Sequence, residues 1–259
     1  MTNEHAATRR ETPAASAFPL TRFSVVQATI SDDAAIRHSA WEALIRSYWK
    51  PVYKYIRIRW QADTEAAQDL TQEFFAGAMD RGFFSRFDPA RARFRTYLRV
   101  CLHGFVANQR KAAGRKKRGG DYRMLSLDFA GAEGELRQLP LATDADPEEF
   151  FRQESIRSLF ALAVDSLRAH CAASGRDVQF ALFERYDLVP PEQRERPTYQ
   201  QLADSLGLSV TQVTNQLAAV RREFRRAVLE RLREVSGTEA EFRTEAIELL
   251  GVDPSDVAF

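Results

Sequence analysis

Residues 91–118, RARFRTYLRVCLHGFVANQRKAAGRKKR, read as one helix with two unlike faces. Phe94, Tyr97, Leu98, Cys101, Leu102, Phe105 and Val106 recur at helical spacing and form an apolar stripe. Arg91, Arg95, Arg99 and His103 step by four along another face, and the helix runs on into Arg110, Lys111 and the basic cluster at 115–118. One side needs a core and the other an anionic partner. The chain of 259 residues has a net charge of only +1, so this basic face must be offset by acid elsewhere. Charge segregation therefore carries more information than the total. A solvated surface helix is the ordinary reading of a charge run. Here the basic face has almost no interleaved acid and ends in a Gly-Arg-Lys-Lys-Arg-Gly-Gly cluster, which favours a track for nucleic-acid phosphates.

The rest of the chain is also patterned for helices. Asp32-Asp33 can cap a helix starting near Ala34, along which Trp41, Leu44, Ile45, Tyr48, Val52, Tyr55 and Ile56 keep a helical period. Pro51 falls inside that pattern and predicts a kink or a short break. After a turn at residues 61–64, the next helix spans Glu65–Asp80, with Leu70, Phe74, Ala78 and Met79 inward. Asp69 and Glu73, like charges four apart, cost about 0.2–0.5 kcal/mol in an isolated helix. Solvent tolerates such a pair; an acidic, amide-rich docking face is the functional alternative. Phe83, Phe84 and Phe87 crowd the loop that Asp88-Pro89 turns. Such rings either plug the core or stack on unpaired bases. Residues 119–147, rich in Gly and Pro and acidic from Asp128, are expected to be a linker. Beyond it, Ile156, Leu159, Phe160, Ala163, Val164 and Leu167 predict one amphipathic helix, and Phe180, Leu182, Phe183 and Tyr186 another. The expected class is all-α: two helical domains, 21–118 and 148–235, between a flexible N-terminal tail (1–20) and an acidic C-terminal extension (236–259).

The sharpest local motif is TYQQLADSLGLSVTQVTNQLAAVRREFRR, residues 198–226. Thr198 with Gln201 and Ser209 with Gln212 are two capping boxes, and Gly207 supplies the turn between two short helices. This is a helix-turn-helix pattern. Thr211, Gln212, Thr214 and Asn215 stand near the start of the second helix, where side chains reach base edges or phosphates, and Arg221, Arg222, Arg225 and Arg226 follow. A helical hairpin with no DNA role is the alternative. The two boxes, the glycine and the arginine tail together favour DNA.

At 44% hydrophobic and 28% charged residues, the composition is that of an ordinary globular protein. No apolar run approaches the ~20 residues of a membrane span, and the N-terminus lacks the apolar block of a signal peptide, so a cytoplasmic protein is expected. Cys101 and Cys171 sit at apolar helix positions and are expected in the core, unbridged. The four histidines show no metal-ligand spacing, and there is no phosphate-binding glycine loop or nucleophile elbow; neither a cofactor nor a metal is expected.

The ordered set of Asp69-Leu70-Thr71-Gln72-Glu73-Phe74-Phe75, Phe87-Asp88-Pro89, Phe94-Arg95-Thr96-Tyr97-Leu98 and the helix-turn-helix resembles a bacterial RNA polymerase sigma factor of the extracytoplasmic-function type. The C-terminal extension looks like that of a particular branch. The resemblance implies a non-enzymatic transcription initiation factor whose partners are core polymerase, at its clamp and flap, and promoter DNA. It implies that Asp69, Gln72 and Glu73 dock on the polymerase clamp. Phe87, Arg91, Arg93, Arg95, Arg99, Arg110 and Lys111 would open and hold the −10 element, with Tyr97 a further stacking candidate. Thr211, Gln212, Thr214, Asn215, Gln216, Arg221, Arg222 and Arg225 would read the −35 element. The linker would thread through the polymerase.

Three departures from the family pattern matter. Ala66-Ala67-Gln68 stands where the family is more acidic, so phosphorylation of Thr64 or Thr71 by a protein kinase would restore negative charge. An anti-sigma factor is the other candidate regulator. Thr214, Gln216 and Ala219 stand in place of basic residues in the recognition helix. Gly104 sits inside a helix at a cost of about 1 kcal/mol against Ala, which suggests close packing there. The competing readings are a stand-alone helix-turn-helix regulator that never engages polymerase, and a nucleic-acid enzyme with Asp69 and Glu73 as metal-binding carboxylates.

Overall fold

The computed structural model describes residues 25–112, 126–139, 146–189 and 196–256, and among them regular structure is helical throughout. The helices are α1 (Val25–Ala28), α2 (Ala34–Arg59), α3 (Thr64–Arg81), α4 (Phe94–Ala112), α5 (Phe129–Arg137), α6 (Pro147–Ala173), α7 (Asp177–Asp187), α8 (Tyr199–Leu206), α9 (Val210–Val235) and α10 (Glu239–Leu250). The fold is all-α, as its periodicity requires. The expected N-terminal tail, the cluster at 115–118 and parts of the linker lie outside the described residues.

α2 is the central strut. Asp33 caps it by accepting hydrogen bonds from the amides of Ala35 and Ile36, at 2.8 and 3.2 Å. The break expected at Pro51 does not occur: α2 runs through it. Pro51 lacks the N–H that would bond the Ser47 carbonyl four residues back. Ser158 of α6 supplies a replacement, its hydroxyl donating to that carbonyl at 2.9 Å. A neighbouring helix thus supplies the donor that the proline denies this carbonyl.

α3 and α4 pack against α2. Phe74, Phe75, Phe94, Leu98 and Leu102 are fully buried in one aromatic-rich core with Tyr53, Tyr55 and Ile56 of α2. Met79, expected inward, is 40% exposed, while Phe75 takes the buried place. Gly104 is not closely packed either: a Cβ built there meets nothing within 4 Å.

The segment expected as linker contains α5, and α5 is docked. Its Phe129, Ala132 and Leu136 join the first core, and its acids meet basic residues of α2. Arg57 donates to both oxygens of Glu133 at 2.7 and 3.0 Å, and Tyr53 donates to the same carboxylate at 2.8 Å. Lys54, buried, reaches Glu135 and the buried Glu154 of α6, both at 2.8 Å. A buried charge needs such pairing, because an unpaired one costs several kcal/mol (~3–5).

α6 links two hydrophobic groupings. Phe150 and Phe151 near its start belong to the core around α2, whereas Leu167 and Cys171 near its end pack with α7, α8 and α9. Leu159 and Ala163 meet Ala227, Val228 and Leu232 of α9 together with Phe242 and Ala246 of α10. Both cysteines are free thiols, Cys171 buried and Cys101 half-buried.

Candidate nucleic-acid interface

α8, the turn at Gly207 and the start of α9 are built as their sequence dictates. Both capping boxes are closed: the Thr198 hydroxyl accepts from the Gln201 amide at 3.2 Å while the Gln201 side chain accepts from Thr198 N–H at 2.8 Å, and Ser209 with Gln212 does the same. Gly207 lies at φ 65°, the left-handed conformation that ends α8 and that favours glycine. Leu202, Val213, Leu217 and Val220 are buried between the helices.

The eight residues expected to read DNA here fall into two groups. Thr211, Asn215, Arg222 and Arg225 are exposed along α9. The others are engaged locally or, for Gln216, partly enclosed. Gln212 is exposed, but its side-chain oxygen is engaged by the cap. Thr214 donates its hydroxyl to the Val210 carbonyl at 3.0 Å. Gln216 is half-buried, with its side-chain oxygen enclosed and unpaired. Arg221 makes a two-pronged pair with Asp187 of α7, both contacts 2.9 Å, and lies over the Tyr186 ring. The pairing pushes its already high pKa further up, so this arginine fastens α9 to α7.

A second surface lies along α4. Phe83, Arg86, Tyr97, Cys101, Asn108 and Gln109 line a groove of about 610 Å³ between α4 and the 3-10 turn Phe83–Arg86. Gly104 also faces it, and the missing side chain keeps it open. The Tyr97 hydroxyl donates to the Phe83 carbonyl at 2.7 Å, which fixes the ring. Phe87 is half-buried, edge-on to Phe94 at 5.2 Å and tilted against Tyr97 at 5.4 Å. An aromatic-lined groove with an arginine and two amides can take an unpaired base by stacking and hydrogen bonding. Sequence reasoning misses Arg86 and Gln109: one is a lone loop arginine, the other an ordinary polar helix residue.

The basic residues of α4 and of the loop just before it are not uniformly open. Arg91, Arg110 and Lys111 are exposed, with Arg110 donating to the Trp60 carbonyl at 3.0 Å. Arg93 pairs with Glu248 of α10 through two contacts of 3.1 Å, and Arg95 lies 2.7 Å from Glu245. Arg99 lies 2.7 Å from Glu148 of α6. The acid missing from α4 itself thus arrives from distant helices. His103, fourth in the basic row, bonds Tyr55 at 2.6 Å. Burial and then the nearby Arg99 and Arg59 push its pKa below the usual range, so it adds no dependable charge.

On α3, Asp69 is exposed, while Gln72 and Glu73 are half-buried on the same side. Glu73 accepts a hydrogen bond from Gln109 of α4 at 2.6 Å, which ties this acidic face to the groove wall. Thr71 is fully buried, its hydroxyl donating to the Ala67 carbonyl at 2.7 Å, so it is closed to a kinase; Thr64, in the first turn of α3, is half-buried. Among the described residues no group of His, Cys, Asp or Glu is placed to hold a metal ion, and no helix is long and apolar enough to cross a membrane.

No curated protein and no solved structure matches the chain. Residues 44–116, which hold most of α2 together with α3, the groove and α4, match the sigma-70 region 2 family model. The similarity to sigma-70 region 2 spans 73 of the chain's 259 residues.

Proposed function

We propose that the chain is a sigma factor of the extracytoplasmic-function type that binds core RNA polymerase, opens the −10 element with α4 and its groove, and reads the −35 element with α8 and α9. The observation that carries the reading is the juxtaposition, within the matched region, of an aromatic groove, a basic helix and an acidic face on α3. Extracting a base from the stack costs a few kcal/mol, and the groove would return it through Phe83, Tyr97 and the amides of Asn108 and Gln109. Asp69, Gln72 and Glu73 would dock on the polymerase clamp. Thr211, Asn215, Arg222 and Arg225, exposed on one helix, would supply the −35 contacts, and the second block would meet the flap. Such a factor works in the cytoplasm and catalyses nothing itself. Thr64 is the remaining candidate for a kinase.

Co-purification with core polymerase separates this reading from a stand-alone regulator. The full chain should be retained by core polymerase, and Asp69→Lys with Gln72→Lys should abolish retention without unfolding the chain. Retention that is absent in the parent, or unaffected by the reversal, contradicts the clamp assignment.

A further inference from the structure

The residues expected to hold the −10 strand are those that the C-terminal extension covers. The chain leaves α9 through Ser236 and Gly237, and Gly237 lies against the loop before α4. A Cβ there would stand 2.9 Å from a Phe87 ring carbon and 3.0 Å from Pro89, so only glycine allows this approach without a shift. α10 then docks on α9 through Phe242 and Ala246, which are buried. An adjoining side carries Glu245, which is buried, and Glu248, three residues apart and so neighbours on one face. Glu248 receives both terminal nitrogens of Arg93, and Glu245 lies between Arg95 at 2.7 Å and Arg93 at 3.4 Å.

Burial ranks these ion pairs. The Glu245 side chain is 5% exposed and Arg95 13%, so their pair is largely out of water, whereas Glu148, the partner of Arg99, is 58% exposed and holds it weakly. Burial pushes the Glu245 carboxyl pKa up, against the pull of Arg95 and Arg93. Arg93, whose N–H groups are committed to Glu248, cannot offer them to a phosphate, and Arg95 faces the Glu245 carboxylate as a charge contact in place of one.

We infer that α10 is a built-in cover for the arginines at the start of α4: Glu245 and Glu248 occupy Arg93 and Arg95 in place of strand phosphates, and the helix must leave them before those arginines bind DNA. The inference rests on α4 as the strand-binding helix and adds the regulation of that site.

The test is binding of the full chain to a short, labelled, mixed-sequence single-stranded DNA over a salt titration. Glu245→Gln with Glu248→Gln is compared with a charge-matched control, Glu42→Gln with Glu184→Gln, whose side chains are exposed. The cover variant should bind several-fold more tightly than the control, with a log–log salt slope steeper by about 0.7 for each further phosphate neutralised. Phe242→Ala, which loosens α10 on α9 and leaves both carboxylates in place, should move affinity the same way. Parity of both variants with the control overturns the inference. If the variants tighten as expected but the chain never directs polymerase, the cover stands and the sigma reading falls; parity in a chain that does direct polymerase removes the cover alone.

Discussion

Gly104 shows what one absent side chain does. It occupies a helix interior, where glycine costs about 1 kcal/mol against alanine, yet no neighbour requires the space. What it leaves open is the groove. Gly104→Leu should therefore raise the melting temperature and weaken single-strand binding together; a stabilised variant with unchanged binding would show that the strand does not enter there. Glu133 sets a pH dependence. The Arg57 hydrogen bonds hold its carboxyl down to about 2 from an ordinary 4.5, in spite of burial. A depressed folded pKa means stability that is present above about 4.5 and is lost as pH falls toward 2. Glu133→Gln should flatten that arm of the stability curve in chemical denaturation; an identical acid profile in both proteins would contradict it. Neither residue's role can be read from its neighbours in sequence, since Glu133 meets Arg57 across 76 positions.

At the scale of elements, local signals are legible in the sequence and distant ones are not. The caps at Asp33, Thr198 and Ser209 and the turn at Gly207 depend on residues within a few positions, and all are in place. The run-through at Pro51 depends on Ser158, 111 positions from the carbonyl it satisfies, and the pairing of Arg93 on Glu248, 155 positions away. α5 reads as linker because its glycines are poor helix formers, but docking on α2 overrides that propensity. The same distinction separates two arginines of α9. Arg221 secures Asp187 of α7, so Arg221→Ala should destabilise the second block by about 1–3 kcal/mol for a lost charged hydrogen-bond pair, seen as a lower melting temperature. Arg225→Ala, on the exposed side, should weaken binding to −35 DNA and leave stability unchanged. Equal stability of the two variants would contradict this assignment.

Over the whole molecule, the near-zero net charge is resolved by pairing. Acids of α5, α6 and α10 lie on the basic residues of α2 and α4, and α6 reaches from one core to the other. This is a closed arrangement for a chain proposed to straddle two promoter elements. The linker would thread polymerase only if α5 left α2, and α4 would hold a strand only if α10 left its arginines. Binding to polymerase is the event that could supply the energy for both. In vitro transcription over a pool of random promoters, using core polymerase free of any other specificity subunit, asks directly whether the chain does this. Addition of the full chain should produce transcripts from a shared set of start sites with common upstream sequence elements; a transcript pattern the same as that of core polymerase alone would contradict the account.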